Sequence, residues 1–433
     1  MGIKPRLGWP ILILISLSPL FFWASSVPME FRFSDFYSAF KSIGQILGLI
    51  GMATFSLDLF LSGRFKFIED YFGGMNKVYI AHHILGAVSF ILLMFHPLSL
   101  AIANTTISYQ SALTYIFPGL DWRINLGIIS LVLLISLLVL TLFINLPYEF
   151  WKKTHKYLGL VLFIGIIHSL FVPSDISRDP TFRNYMLILM SLGLIPYLYR
   201  TVFYKFFIKR IDYSISEIDY LSPNVIEIIM SPVRENLSYM PGQFVFVDFD
   251  KSNLPPEIHP FSLTSAPTDN HLSFAAKTEG DFTNKLMKVN IDSIVKVEGG
   301  FGRFSYLLSP IKYQVWIAGG IGITPFISMA KSLINNSGYS VTLYYSVKNK
   351  EEILYYDLLQ KLSQNGTGLT FIPWYSTERG RLSAKGISDM DNKLLEKDIY
   401  ICGPPPMMKG LIDQFVKINI KKSHIHSEEF TMS

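Results

Sequence analysis

Two apolar stretches decide the fold: residues 78–102, VYIAHHILGAVSFILLMFHPLSLAI, and residues 154–172, THKYLGLVLFIGIIHSLFV. Each is long enough to cross a hydrocarbon core about 30 Å thick as a helix. Each also carries a widely spaced pair of histidines, His82 and His96 in the first, where His83 adjoins His82, and His155 and His168 in the second. Ionisable side chains at bilayer depth are costly and mark function by default. Four of them at two matching depths suggest paired ligands, and the group that suits two stacked pairs of imidazoles is haem. The members are 14 residues apart (96 − 82) and 13 apart (168 − 155), roughly 20 Å of helix axis. One haem near each face of the membrane is expected.

At 100° per residue His82 and His96 lie about 40° apart around their helix, and His83 and His96 about 140° apart. His82 is therefore the better ligand. The same arithmetic sets His155 and His168 about 140° apart, so a curved helix, or two haems rotated about the membrane normal, is required. A single histidine in a membrane helix is more often a packing residue than a ligand. Four at matched depths favour haem, and a proton path through the same imidazoles is the competing reading.

The surrounding chain fits a membrane protein. Of its 433 residues 50% are hydrophobic and 15% aromatic, and the apolar weight lies before Lys209. Six segments are long enough to span: 7–25, 43–61, 78–102, 124–144, 154–172 and 185–207. With the N-terminus inside, eleven basic residues face the cytoplasm: Lys4, Arg6, Arg64, Lys66, Lys77, Lys152, Lys153, Lys156, Lys205, Lys209 and Arg210. Five, namely Arg32, Lys41, Arg123, Arg178 and Arg183, face out. This bias predicts a multi-pass protein of the plasma membrane with both termini cytoplasmic, and sets His82 with His155 at the inner face and His96 with His168 at the outer. Lys4 and Arg6 ahead of the first run, with Ala24-Ser25-Ser26 behind it, also fit a cleaved signal peptide, which leaves the later helices oriented as before. The net charge of +5 is positive-inside bias and excludes a nucleic-acid footprint. A lone cysteine, Cys402, forbids an internal disulfide.

After Lys209 short alternating runs (211–218, 225–230, 244–249 and 272–276) predict a small antiparallel barrel. Between two of them stands His259-Pro260-Phe261-Ser262-Leu263-Thr264-Ser265. Its hydroxyls and N–H groups suit a pyrophosphate and a flavin edge, and Phe261 offers a flat surface to a ring system. The turn Lys277–Thr283 opens a helical stretch near 284–288. From Tyr313 the pattern is α/β. The strand 314–318 runs into Gly319-Gly320-Ile321-Gly322-Ile323-Thr324-Pro325-Phe326 and a helix carrying 327–333. Such a loop lets backbone approach a dinucleotide pyrophosphate at a helix N-terminus, with Pro325 in the first turn. It is not the G-x-G-x-x-G fingerprint. Strand 340–345 ends at Ser346 and Lys348, and strand 398–401 at Cys402-Gly403-Pro404. Strand ends of this kind line a ligand cleft, where Lys348 favours a 2′-phosphate and hence NADPH, unless it is an ordinary solvated lysine.

These strings, together with Tyr148-Glu149-Phe150-Trp151, Tyr344-Tyr345-Ser346, Cys402–Met408 and Glu428-Glu429-Phe430, make the chain similar over essentially its full length to prokaryotic members of the NADPH oxidase and ferric reductase superfamily. The resemblance implies a multidomain membrane protein. Residues 1–208 would be a six-helix, ferric-reductase-like transmembrane bundle holding two haems b through His82, His96, His155 and His168. Residues 209–310 would be an antiparallel β-barrel for FAD, and 311–433 an α/β NADPH-binding domain like ferredoxin-NADP reductase. By position, His259, Pro260, Phe261 and Ser262 would meet the flavin, with Thr264 and Ser265 nearby. Gly280, Asp281 and Thr283 would lie near the FAD phosphates, and Gly319, Gly320, Gly322, Thr324 and Pro325 would hold NADPH. Ser346 and Gly403-Pro404 would line the same site, with Lys348 and Arg381 at the 2′-phosphate. Cys402 would sit near the nicotinamide, and Phe430 would stack on the isoalloxazine, with Thr431-Met432-Ser433 beyond it.

The implied activity is transfer of electrons from cytoplasmic NADPH through FAD and two haems to molecular oxygen outside, giving superoxide. A ferric reductase with the same cofactors and ferric iron as acceptor is the alternative, and a proton-conducting or structural membrane protein a second. Animal oxidases carry a further histidine one turn beyond the outer ligand, where Leu100 stands here; Arg32 or Lys41 is the candidate outer cation. The expected partners are the lipid bilayer, NADPH and the outer acceptor, with no nucleic acid. No calcium-binding or regulatory segment occurs in the sequence, so no obligatory regulatory subunit is expected and activity should be constitutive.

Overall fold

The computed structural model describes residues 7–428, apart from 64, 145, 147, 204–209, 250, 251, 253, 255, 256 and 337, with the side chains of Lys66, Asn76, Tyr148, Glu149 and Asp281 also outside the description. The chain divides into two compact units, Met1–Phe207 and Ile208–Ser433.

Among the described residues of the first unit six helical spans are long and apolar enough to cross a membrane: Gly8–Ser26, Phe36–Leu61, Lys77–Asn104, Trp122–Leu142, Phe150–Phe171 and Pro180–Phe203. Pro19 divides the first into α1 (Gly8–Leu17) and α2 (Pro19–Ser26). The others are α3 (Phe36–Leu61), α4 (Met75–Asn104), α5 (Trp122–Leu142), a broken pair α6 (Tyr148–Lys156) and α7 (Leu158–Phe171), and α8 (Pro180–Leu198).

Small residues let these helices approach where no hydrophobic force distinguishes protein from lipid. A Cβ on Gly193 of α8 would stand 2.4 Å from the Ser56 carbonyl oxygen of α3, so the two backbones touch there. The α6/α7 break reduces the angular problem of the second histidine stretch. At Tyr157 the ladder tightens to i→i+3 bonds, from Tyr157 N–H to the Thr154 carbonyl and from Leu160 N–H to the Tyr157 carbonyl, both 3.0 Å. Each residue wound at three per turn adds about 20°, so a turn of three brings the 140° offset to roughly 80°.

The second unit begins with a six-stranded antiparallel sheet: β1 (Ile211–Ser222), β2 (Val225–Pro232), β3 (Phe244–Asp248), β4 (Ile258–Ser262), β5 (Leu272–Lys277) and β6 (Ile294–Phe301). Its order is β4-β3-β6-β1-β2-β5, and a bridge between Leu263 and Phe274 joins the two outer strands into a barrel. A short helix, α9 (Asp281–Leu286), plugs it with Phe282 and Leu286. The His259–Ser262 string, expected between strands, is itself strand β4, pairing Pro260 with Phe246. Pro260 is tolerated because β4 lies at the end of the sheet, where its missing N–H interrupts no ladder.

The remaining sheet is entirely parallel: β7 (Tyr313–Gly319), β8 (Ser340–Val347), β9 (Leu369–Tyr375), β10 (Asp398–Cys402) and β11 (Ile425–Glu428), in the order β11-β10-β7-β8-β9. The helices α10 (Thr324–Leu333) and α11 (Tyr356–Gln364) pack in one core beside it, and α12 (Pro405–Lys417) in another. After β7 the chain winds outward to β9 and then returns across β7 to β10. The reversal therefore falls between β7 and β10, and ligands of such sheets bind in the crevice at that point.

Candidate functional site

His82 of α4 and His155 of α6 face one another with ring centroids 6.1 Å apart and planes 78° apart, while His83 is exposed. Two metal–nitrogen bonds of about 2 Å and two ring radii of about 1 Å sum to roughly 6 Å, so the spacing fits one metal held between the rings. His82 Nδ1 lies 2.7 Å from Asp58 Oδ1 and 3.1 Å from the Asp58 carbonyl oxygen. The hydrogen bond is the one to the carbonyl, which only accepts, so Nδ1 carries the proton and Nε2 is left with a free lone pair, while the carboxylate oxygen stands beside the same nitrogen. His155 stacks on Trp151, with centroids 5.2 Å apart, and its Nδ1 is buried without a hydrogen-bond partner among the described residues.

The second pair is held in the same way by backbone. His96 Nδ1–H donates to the Gly44 carbonyl and His168 Nδ1–H to the Arg123 carbonyl, each at 2.7 Å. Glycines make room for both rings: a Cβ on Gly48 would lie 2.7 Å from His96 Nδ1, and one on Gly127 2.7 Å from His168 Cε1. The two histidines line one cavity of about 510 Å³, within the range of about 300–1,000 Å³ usual for cofactor sites. Among the described residues no cluster of three or more His, Cys, Asp or Glu side chains could hold a bare metal ion. Paired imidazoles suit haem, whose porphyrin supplies the remaining iron ligands.

Leu100 and Lys41 line this cavity as well. Arg32 is not free to serve as an outer cation. It is 5% exposed, pairs with Asp175 at 3.0 Å, donates to Gln45 and Ser26 and lies over the Trp23 ring at 4.0 Å.

Along β4 the period of two sends Phe261 and Leu263 into the barrel and Pro260 and Ser262 to the opposite face. Phe261 stacks on Phe274 at 4.2 Å inside the core. Neighbours in the barrel thus cover the side of the ring that faces the core. The hydroxyls of Thr264 and Ser265, expected at the flavin, are fully buried and spent within the protein. Thr264 Oγ1 donates to Glu227 Oε1 and lies 2.7 Å from Ser273 Oγ. Ser265 Oγ meets Tyr239 OH at 2.9 Å, and the Ser265 carbonyl accepts from Ser328 Oγ of α10 at 2.6 Å, tying barrel to parallel sheet.

Ser262 differs. Its Oγ is buried and has no partner among the described residues, so its hydrogen-bonding capacity is unspent. His259 pairs with Glu257 at 2.8 Å and stacks on Phe282 at 3.8 Å. Gly280 and Thr283 cap α9 reciprocally, through Gly280 N–H to Thr283 Oγ1 at 2.9 Å. The side chain of Asp281 lies outside the described residues.

Around the sheet reversal, register brings Gly319 opposite Ser346, and Cys402 opposite both Ala318 and Glu428. Thr324 and Pro325 are buried in the first turn of α10. The glycines here divide into two kinds. A Cβ on Gly322 would stand 2.5 Å from the Cys402 carbonyl oxygen, and one on Gly403 3.1 Å from the Gly319 backbone, so both serve the packing of loop on loop. Gly320, with φ +53 and nothing within 4 Å of its Cβ position, instead turns backbone toward open space. Such a surface at a helix N-terminus is what a pyrophosphate requires. Pro404, Lys348 and Arg381 are exposed, and the Lys348 carbonyl accepts from Thr377 Oγ1 at 2.8 Å. Phe430 lies outside the described residues.

Cys402 is wholly buried, and burial pushes its thiol well above the ordinary value, with Glu428 adding to the rise. Burial thus disfavours the thiolate, which is the reactive form. An Ellman titration should show no reactive thiol in native protein and one per chain after denaturation; stoichiometric native labelling would contradict this burial.

Sequence reasoning missed Asp58, Gly48, Gly127, Glu227 and Tyr355. A carboxylate within the apolar run 43–61 was the visible signal for Asp58. Tyr355, at φ +57, stands in a conformation unusual for its type, and Glu227 raises its phenol well above the ordinary range after burial itself.

Three family descriptions match successive parts of the chain. Residues 47–166 match the ferric reductase like transmembrane component, 210–317 an FAD-binding domain, and 316–412 an oxidoreductase NAD-binding domain. The chain is 30% identical over 213 residues to respiratory burst oxidase homolog protein E of Arabidopsis thaliana, covering 43% of this chain and 22% of that one. It is 27% identical over 199 residues to the ferredoxin reductase component of 3-ketosteroid-9-alpha-monooxygenase of Mycobacterium tuberculosis, covering 45% of this chain and spanning 55% of that relative's length. The FAD/NAD-binding domain of a Vibrio cholerae nitric oxide dioxygenase superposes with a TM-score of 0.44 at 23% identity, over 50% of this chain and 97% of that one. With a ferric-reductase membrane component, an FAD domain and an NAD domain following one another along a single polypeptide, the chain belongs to the NADPH oxidase / ferric reductase superfamily.

Proposed function

We propose that this oxidoreductase passes electrons from cytoplasmic NADPH to molecular oxygen on the far side of the plasma membrane, forming superoxide, by way of FAD and two bis-histidine haems. The observation that carries this reading is the pair of opposed imidazole sites in one membrane unit. Three of the four rings are tethered through Nδ1–H, which leaves Nε2 to bind iron. When bound, the nucleotide supplies a hydride, the flavin divides it into single electrons, and the haems carry those electrons across the bilayer.

The chain's own groups prepare this chemistry. His82 with His155, and His96 with His168, would hold the irons. Ser262 Oγ, unspent and buried, would hydrogen-bond a flavin edge. Gly320 would receive the nucleotide pyrophosphate, and exposed Lys348 and Arg381 its 2′-phosphate. Tying the imidazoles to carbonyls and a carboxylate fixes their tautomer before any metal arrives.

The test is a visible spectrum of the purified full chain with NADPH added, first without oxygen and then in air. Reduced b-type haem bands that appear anaerobically and vanish in air are expected, together with cytochrome c reduction abolished by superoxide dismutase. Ferrozine-detected iron reduction without superoxide makes the protein a ferric reductase. Colourless protein overturns the haem reading.

A further inference from the structure

Asp58 lies inside α3 with 5% of its surface exposed. A carboxylate at this depth in a membrane helix is costly unless a positive centre compensates it. Among the described residues no arginine or lysine pairs with it. The group against it is His82, whose Nδ1 sits 2.7 Å from Asp58 Oδ1 and 3.1 Å from the Asp58 carbonyl oxygen. Gly86 of α4, one turn beyond His82, faces the carboxylate: a Cβ there would meet Asp58 Oδ2 at 3.4 Å, in ordinary contact.

The other three imidazoles are treated differently. His96 and His168, like His82, donate to a backbone carbonyl, but neither has a carboxylate beside its Nδ1, and His155 Nδ1 has no hydrogen-bond partner among the described residues. The carboxylate therefore makes the two pairs unequal. A carboxylate on the distal nitrogen of a metal-bound imidazole raises the basicity of that ligand. Hydrogen bonding outside the ligands is also one of the levers that set haem potential, and a more basic ligand favours the oxidised iron.

We infer that Asp58 is a positioning residue that lowers the reduction potential of the haem held by His82 and His155 below that of the haem held by His96 and His168. This rests on the bis-histidine haem reading above. The step concerned moves one electron from the first haem, which is oxidised, to the second, which is reduced, with no bond or proton changing hands. The asymmetry makes that transfer downhill toward the His96/His168 end.

The experiment is a spectroelectrochemical titration of the full chain. Asp58→Asn retains an acceptor of the same shape and removes the charge. The His82/His155 haem should then be about tenfold more reduced at a fixed potential, about 59 mV for a one-electron couple. The other haem should stay unmoved, and Asp58→Glu should restore the wild-type value to within threefold. The inference fails if Asp58→Asn binds two haems with unshifted potentials, or if both haems shift together as a general loosening of the bundle would cause.

Unmodified protein decides the matter independently of any Asp58 variant. It should titrate in two one-electron steps, and the lower step should be the one missing from His155→Leu. A single unsplit step, or loss of the upper one, overturns the inference. Wild-type protein that binds no haem overturns the underlying reading and this inference with it, whereas two haems with no asymmetry overturn only the latter.

Discussion

His168→Leu should reduce the haem content from two to one per chain and abolish electron transfer to an outer acceptor, while FAD reduction by NADPH continues at its usual rate. Leucine fills much of the same volume but offers no lone pair to iron and no donor to the Arg123 carbonyl, which His168 Nδ1–H engages at 2.7 Å. The loss is confined to one site because each haem needs both of its imidazoles and the pairs sit on different turns of α4. The anchoring end is robust: Arg123 also holds Asp121, whose carboxyl its side-chain hydrogen bonding pulls down to about 2, and the start of α5 remains capped. Pyridine haemochrome content and stopped-flow flavin bleaching separate the two effects. Unchanged haem content would show that His96 and His168 are not ligands of a common iron.

Replacing Ser262 with alanine should slow flavin reduction by NADPH without lowering thermal stability. The Oγ has no partner among the described residues, so the folded chain loses no hydrogen bond when it goes. A bond to a group gaining charge is worth about 1.5–3 kcal/mol, which corresponds to roughly 10- to 150-fold in rate. Thr264→Val is the opposite case. Its hydroxyl is committed to Glu227 and Ser273, and leaving a buried carboxylate short of a donor costs about 1–3 kcal/mol of stability. A Ser262→Ala enzyme that bleaches its flavin as fast as wild type, or that melts as early as Thr264→Val, would remove Ser262 from the flavin site.

Much of this was legible in the chain itself. Uninterrupted apolar runs identify the six spans because bilayer thickness sets one length for all of them, and β–loop–α alternation after Tyr313 implies a parallel sheet. The histidines were visible because charge at membrane depth is rare. Less legible were positions where local pattern and packing disagree. Pro260 reads as a turn, yet it lies in an end strand that does not need its N–H. Phe261 reads as a ligand surface, yet the strand's period turns it inward onto Phe274.

The sequence by itself determined which elements form and which face of each is apolar, since those depend on periods of 3.6 and 2 within a few residues. Only the tertiary structure decided which atoms remain available. Gly48 admits the His96 ring, Asp58 reaches His82, Gly322 clears the Cys402 carbonyl, and Thr264 spends a hydroxyl that Ser262 keeps. Each of these joins residues on different elements, where contact at ångström range follows from how helices and strands pack rather than from how far apart they lie along the chain.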